Sequence, residues 1–323
     1  MSNYLSAFAE DLENMIEMKT ALGYKKSTFI DRAHKFDEFC LKNFPEESVL
    51  SETIVLTWIK EKIGKGSSAA HARAAFARGL AKYQNAIGKN AYMLSDKFAT
   101  GHNAFIPYLM TDNELSEFFK VADTIEKKSD ILWGPTISTY FRLTYTCGLR
   151  PGEGRNLKLE NIDFSTGEIQ IIDSKWHKSR TVVMSEDMLV LMKKYASIRK
   201  NHRPDSEYFF PSPSGGPYTS GQFGTVFKKI FAISKSDVPK EFLPSIRVYD
   251  LRHRFATANI SMWLDQKLDI SSRLPYLQTY MGHRDIEATG YYIHLLPENL
   301  VKSTGIDWET LNRMVPRAEL WEK

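Results

Sequence analysis

Cysteine is scarce in this sequence: Cys40 and Cys147 are the only two in 323 residues, and no CxxC spacing relates them. That argues against a disulfide framework and a cysteine-ligated metal centre, and leaves two ordinary thiols in a reducing compartment. No apolar run reaches the roughly 18 residues that a membrane-spanning helix requires. The opening segment, MSNYLSAFAEDLENMIEMK, is acidic and amphipathic and is not a targeting sequence. HExxH, an acidic triad and any other metal cage are missing from the residue order, so neither a metal nor another cofactor is expected. Internal repeats and low-complexity segments are absent too. What remains is a globular composition, 42% hydrophobic and 25% charged, on a chain long enough for two domains. A cytoplasmic protein with no membrane partner is the expectation.

The net charge of +4 is modest, but its distribution is not. Residues 1–61 carry seven Lys and Arg against eleven Asp and Glu, a net −4, whereas residues 62–103 carry seven against the single Asp96, a net +6. A basic patch concentrated in this way attracts phosphate better than the same charge spread evenly; a solvated helix face is the lesser alternative.

The first hundred residues read as helices with short breaks. One amphipathic stretch covers 3–22 and ends at Gly23. Ser27 caps a second, which runs to about Asn43, and Ser51 caps a third, to about Ile63. An Ala-rich helix follows from Ser67 or Ser68 to about Ile87. It presents Arg73, Arg78 and Lys82 among small residues, which lets it lie close to a DNA backbone. Residues 88–110 lose the helical period and read as a linker. Thr111 and Glu114 have capping-box spacing and open the next helix. A long helix covers about 134–147. EIQIID and RTVVMS alternate as short antiparallel strands around SKWHKS, residues 186–200 are helical, 211–218 form a loop, and helices follow almost to the C-terminus. The expected fold is mainly α with a small antiparallel β-sheet, in two domains: 1–103, all helical, and 104–323, with a tail from about 297.

Four segments far apart in sequence carry the chemistry: Thr146 to Glu153 (TCGLRPGE), Asp173 to Arg180 (DSKWHKSR), Tyr249 to Thr257 (YDLRHRFAT), and Met281 to Asp285 (MGHRD), with Tyr292 nine residues past His283. Cleaving a phosphodiester without a metal calls for these residue types. Two arginines clamp the nonbridging oxygens with bidentate, charge-assisted bonds. They act mainly on the transition state. A lysine on a hairpin protonates the leaving 5′ oxygen, a histidine bonds a phosphate oxygen, and a tyrosine attacks and holds the 3′ phosphate.

These segments resemble, in order and in their final spacing, the tyrosine recombinase (phage integrase) family over roughly 108–296. The resemblance implies Arg150 and Arg252 as the arginine pair, with Glu153 supporting the first. It implies Lys175 as the hairpin lysine, with Lys178 the alternative, His283 as the phosphate-bonding histidine, and Tyr292 as the nucleophile, with Tyr291 its neighbour and competitor. Phe210-Pro211-Ser212 through Phe227 resembles a further family segment. By the same resemblance 1–103 is a core-binding, SAM-like domain and 104–323 a catalytic domain. Together they form a two-domain clamp on double-stranded DNA at a specific recombination site, and the protein assembles as a tetramer on two such sites. Arg73, Arg78, Lys82, Lys178 and Arg180 are the expected DNA contacts.

One position departs from the family pattern. Tyr249 stands where the family usually has His; a histidine titrates near neutrality and a tyrosine near 10, so the hydroxyl donates a hydrogen bond but shuttles protons poorly. His253, beside Arg252, is a supporting residue. Beyond Tyr292, the residues Trp308, Leu311, Met314, Val315, Leu320 and Trp321 form an amphipathic piece. It docks on a neighbouring protomer or folds back on its own domain. Two other functions share this chemistry or fold: a non-catalytic DNA-binding accessory paralogue, favoured only by Tyr249, and a type IB topoisomerase, disfavoured by the integrase-like boxes and the tail.

Overall fold

A computed structural model describes residues 4–24, 26–62, 67–95, 98, 107–172, 179–283 and 285–295. The chain separates into two compact units, Met1–Ile106 and Pro107–Lys323. The hairpin segment with Lys175 and Lys178 and the tail from about 297 lie outside the described residues.

The first unit is built from α1 (Ala9–Ala21), α2 (Ser27–Asn43), α3 (Glu52–Lys60) and α4 (Ser67–Ala86). The start of α3 is chemically specified: the Ser51 hydroxyl accepts from the Ile54 N–H at 3.3 Å, satisfying one of the donors a helix N-terminus leaves open, whereas Ser27 is the first residue of α2 and not its cap. The first helix begins later than the amphipathic stretch suggests. Asp37 on α2 accepts from the Leu5 and Ser6 N–H groups and from the Ser6 hydroxyl, and this long-range anchor holds the preceding residues out of helix. Trp58 is fully buried at the centre, with Phe36 edge-on at 4.9 Å and Phe76 at 5.7 Å.

The second unit is mainly helical: α5 (Asp112–Asp123), α6 (Trp133–Thr146), the short α7 (Pro151–Arg155), α8 (Glu186–His202), α9 (Ser220–Ser234), α10 (Tyr249–Asp265), α11 (Ile270–Met281) and α12 (Glu287–His294). Thr111 and Glu114 form the expected reciprocal capping box at the start of α5. One antiparallel sheet holds β1 (Ile162–Asp163), β2 (Glu168–Ile171) and β3 (Arg180–Val183) in that order. β2 and β3 occupy the two runs read from sequence; β1, only two residues long, is an addition to that reading.

Ile169 pairs with Val182 and Ile171 with Arg180. Side chains alternate between sheet faces with period two, so Arg180 shares the inward face of Ile169, Ile171 and Val182. The core of this unit is aromatic. The Tyr140 ring centroid lies 4.1 Å from that of Phe223, and the Tyr140 hydroxyl donates to the Pro151 carbonyl at 2.8 Å, which fixes the turn after α6. Among the described residues no helix is long and apolar enough to cross a membrane.

Candidate active site

Two helix C-termini frame the site. α6 runs out at Gly148, whose φ of +57° is readily available to glycine. A Cβ there would lie 2.4 Å from Phe255 Cδ1, so the position also lacks room. The turn buries Leu149 and releases Arg150 in extended conformation, and Pro151 then occupies the first position of α7, where proline is pre-organised. α11 ends at Gly282, φ +64°. The last carbonyls of a helix lack intrahelical donors and carry partial negative charge. Here backbone N–H groups take the Thr144, Tyr145, Gln278 and Thr279 carbonyls, and arginines take the Met281 carbonyl and those of Gly148 and Gly282 just past the helix ends.

Arg252, fully buried on α10, donates to the Gly148 carbonyl at 2.6 Å and to the Met281 carbonyl at 2.7 Å. Arg150 donates to the Gly282 carbonyl at 2.5 Å. Residues 132 positions apart are thereby brought together.

His283 follows immediately. Its Nε2 lies 2.9 Å from Arg252 Nη2 and its Nδ1 2.8 Å from the Thr289 hydroxyl. Arginine can only donate, so Nε2 accepts and Nδ1 carries the proton. Burial, then the charges of Arg252 and Arg150, push the His283 imidazole down to about 3, and it is neutral at physiological pH. Burial, then Arg247 and Arg252, lower His253 to about 4.

Tyr292 lies between these imidazoles, its ring centroid 5.9 Å from His283 and 5.5 Å from His253. It is 2% exposed, against 41% for the adjacent Tyr291. Burial raises its phenol to about 12 even though the charge of Arg252 pulls the other way. The Tyr249 ring packs on the far side of the group, 4.9 Å from His253.

Glu153 is the acid of the site. Burial alone would raise its carboxyl, but hydrogen bonds and charge from Arg180, then from Arg150, outweigh that and hold it at about 2. Arg180 corrects the sequence reading. Expected as a DNA contact, it points inward, meeting Glu153 at 2.7 and 2.8 Å and the Tyr280 carbonyl at 2.8 Å, because strand alternation places it on the buried face of β3.

In the first unit the basic residues of α4 are also turned in part toward protein. The Arg73 guanidinium bonds the Trp58 carbonyl, pairs with Glu61 at 2.9 Å and lies over the Trp58 ring. Arg78 donates to the Leu94 and Ser95 carbonyls. Lys82 is exposed. Lys175 and Lys178 fall outside the described residues.

Of the residues named from sequence, Arg150, Glu153, Arg252, His253, His283, Tyr292 and Tyr249 come together. Thr289 was missed; its only signal was a hydroxyl six residues past His283. The assembly gathers two guanidinium groups and a carboxylate beside two neutral imidazoles and a buried phenol.

Comparison with known proteins agrees in kind. The model of the phage integrase family matches residues 109–299. The chain is 26% identical over 304 residues to y4rB of Sinorhizobium fredii, a proposed integrase/recombinase, covering 91% of this chain and 95% of that one. Its fold resembles that of the XerH site-specific recombinase bound to palindromic difH substrate in a post-cleavage complex. The TM-score is 0.63 at 19% identity, covering 88% of this chain and 80% of XerH. A lambda integrase tetramer bound to a Holliday junction has a TM-score of 0.59 at 15% identity, covering 85% and 77%.

Proposed function

The chain belongs to the phage integrase family, and from that premise we propose that it is a site-specific DNA recombinase that cuts and rejoins strands through a covalent 3′-phosphotyrosyl link to Tyr292. The observation that carries this reading is the gathering of Arg150, Arg252, His283 and Tyr292 around two helix C-termini.

In the proposed step the Tyr292 oxygen attacks the scissile phosphorus, the bond to O5′ breaks, and Lys175 gives its proton to that oxygen. Arg150 and Arg252 neutralise the nonbridging oxygens as charge builds, and the Tyr249 hydroxyl bonds one of them. His283 Nε2 already accepts from Arg252 and the two imidazoles are held at about 3 and 4, so the phenol proton leaves to solvent and not to either ring. Tyr292 is buried and its phenol raised to about 12, so DNA engagement has to uncover the hydroxyl and help remove its proton. The chemistry uses neither metal nor ATP. The two units close on the duplex as a clamp, 1–103 as core-binding domain and 104–323 as catalytic domain. Four copies join two sites, a reading supported by the lambda integrase neighbour, a tetramer bound to a Holliday junction.

The test is a nicked suicide substrate that traps the covalent adduct. Wild type forms it in EDTA; Tyr292→Phe binds DNA and forms none. An adduct from Tyr292→Phe, or rescue of an EDTA-inhibited enzyme by magnesium, overturns the assignment. Tyr249 in place of the usual His favours one other reading, a non-catalytic accessory subunit. A wild type that never cleaves while Tyr249→His does would establish it.

A further inference from the structure

We infer that Arg180 is a positioning residue for strand cleavage: by gripping Glu153 it holds that carboxylate to a single bond with the Arg150 guanidinium, and so leaves the remaining donors of Arg150 available to the scissile phosphate. The inference rests on the recombinase reading above.

Each oxygen of Glu153 accepts two hydrogen bonds. Oε1 accepts from Arg180 Nη1 at 2.8 Å and from Arg150 Nη1 at 2.7 Å. Oε2 accepts from Arg180 Nη2 at 2.7 Å and from the Arg150 backbone N–H at 2.8 Å. A carboxylate offers about four lone-pair sites, so this one is saturated, and it cannot rotate without breaking a bond to Arg180. Only one terminal nitrogen of Arg150 is committed to it; the other is on the Gly282 carbonyl.

With Arg180 removed, Glu153 would regain two lone-pair sites and become free to turn toward Arg150. Fork-to-fork pairing is the preferred arginine–carboxylate geometry, and it would compete directly with a phosphate for the same nitrogens.

The surroundings are built for this grip. Arg180 is 8% exposed, its Nε is spent on the Tyr280 carbonyl, and its stem passes Gly282 so closely that a Cβ there would lie 3.1 Å from Arg180 Cδ. A lysine at 180 could keep the charge but not two parallel bonds.

Single-turnover cleavage of the suicide substrate at saturating protein tests the inference. Arg180→Met should cleave about tenfold to a hundredfold more slowly than wild type, the order expected when one oriented cationic contact to the transition state is weakened. Its affinity for the site should be little changed. Adding Glu153→Gln to Arg180→Met should restore part of the rate, because a neutral amide competes less for Arg150; a merely structural role predicts a second loss instead. Arg180→Lys, the milder variant if Arg180→Met does not fold, should be intermediate and should also be improved by Glu153→Gln. A folded Arg180 variant cleaving at the wild-type rate, or a double variant slower than the single, overturns the inference. Wild type and Tyr292→Phe run on the same gel separate the two levels: wild type without adduct defeats the recombinase reading and this inference with it, whereas a wild-type adduct with an unaffected Arg180 variant defeats the inference alone.

Discussion

Glu153→Gln gives a stability difference whose pH dependence can be worked in advance. The Glu153 side chain is 7% exposed and its carboxyl is held at about 2, against an ordinary 4.5. At about 1.4 kcal/mol per tenfold change in proton affinity, that depression contributes about 3 kcal/mol to folding near neutrality. The folded value is the lower of the two, so the contribution is complete above the unfolded value of about 4.5 and is lost as pH falls toward 2. By pH 3.5 the unfolded chain binds the proton and the folded one does not, and about 1.4 kcal/mol has gone. Glutamine cannot titrate there. Urea denaturation of wild type and Glu153→Gln, followed by far-UV circular dichroism at several pH values, should show wild type ahead by about 3 kcal/mol at pH 7, in the range for a broken buried ion pair. The gap should narrow by about 1.4 kcal/mol at pH 3.5. A gap that stays constant over that interval refutes the claim that an ionised Glu153 anchors the two arginines.

Gly148→Ala should cost about 1–2 kcal/mol for the left-handed backbone and about 1–3 kcal/mol more for crowding Phe255. Adding Phe255→Leu should recover only the second part, and a thermal melt of Gly148→Ala indistinguishable from wild type would contradict this. Tyr249→Phe removes one hydroxyl and should slow suicide-substrate cleavage by the equivalent of about 1–3 kcal/mol, while Tyr249→His should be tolerated or faster; full-rate cleavage by Tyr249→Phe would make the position simple packing. Lys82→Ala should flatten the salt dependence of DNA binding by roughly one log–log unit. Arg73→Ala should instead lower the melting temperature of the first unit, because its guanidinium holds the Trp58 carbonyl and Glu61. A flattened salt slope with an unchanged melt for Arg73→Ala would restore it as a phosphate contact.

Local chemistry made much of the fold readable. Ser51, Thr111 and Glu114 announced helix starts because a capping side chain acts within three residues of itself. The candidate site came from another source: the resemblance of four segments to the phage integrase family named Arg150, Arg252, His283 and Tyr292, and the fold gathers these four although 132 residues separate Arg150 from Gly282. Orientation was not readable from charge. Arg180 follows a lysine-bearing segment whose charge it shares, yet the alternation Arg180, Thr181, Val182, Val183 places it on the face of Val182. The same limit applies to Arg73, since composition records a cation but not the carbonyl it seeks. β1 spans two residues, too few for alternation to register.

The contrast between Tyr291 and Tyr292 bears on chemical footprinting. A phenol-directed reagent such as a nitrating or iodinating agent selects by access and by ease of ionisation. On the free protein it should therefore mark Tyr291, 41% exposed, well before Tyr292, 2% exposed and raised to about 12. Within this pair, resting reactivity would nominate the neighbour of the proposed nucleophile. The informative footprint is the change on adding DNA: a residue that gains reactivity on a noncleavable duplex, or is blocked once an adduct forms, identifies itself by a difference that the resting reactivities conceal.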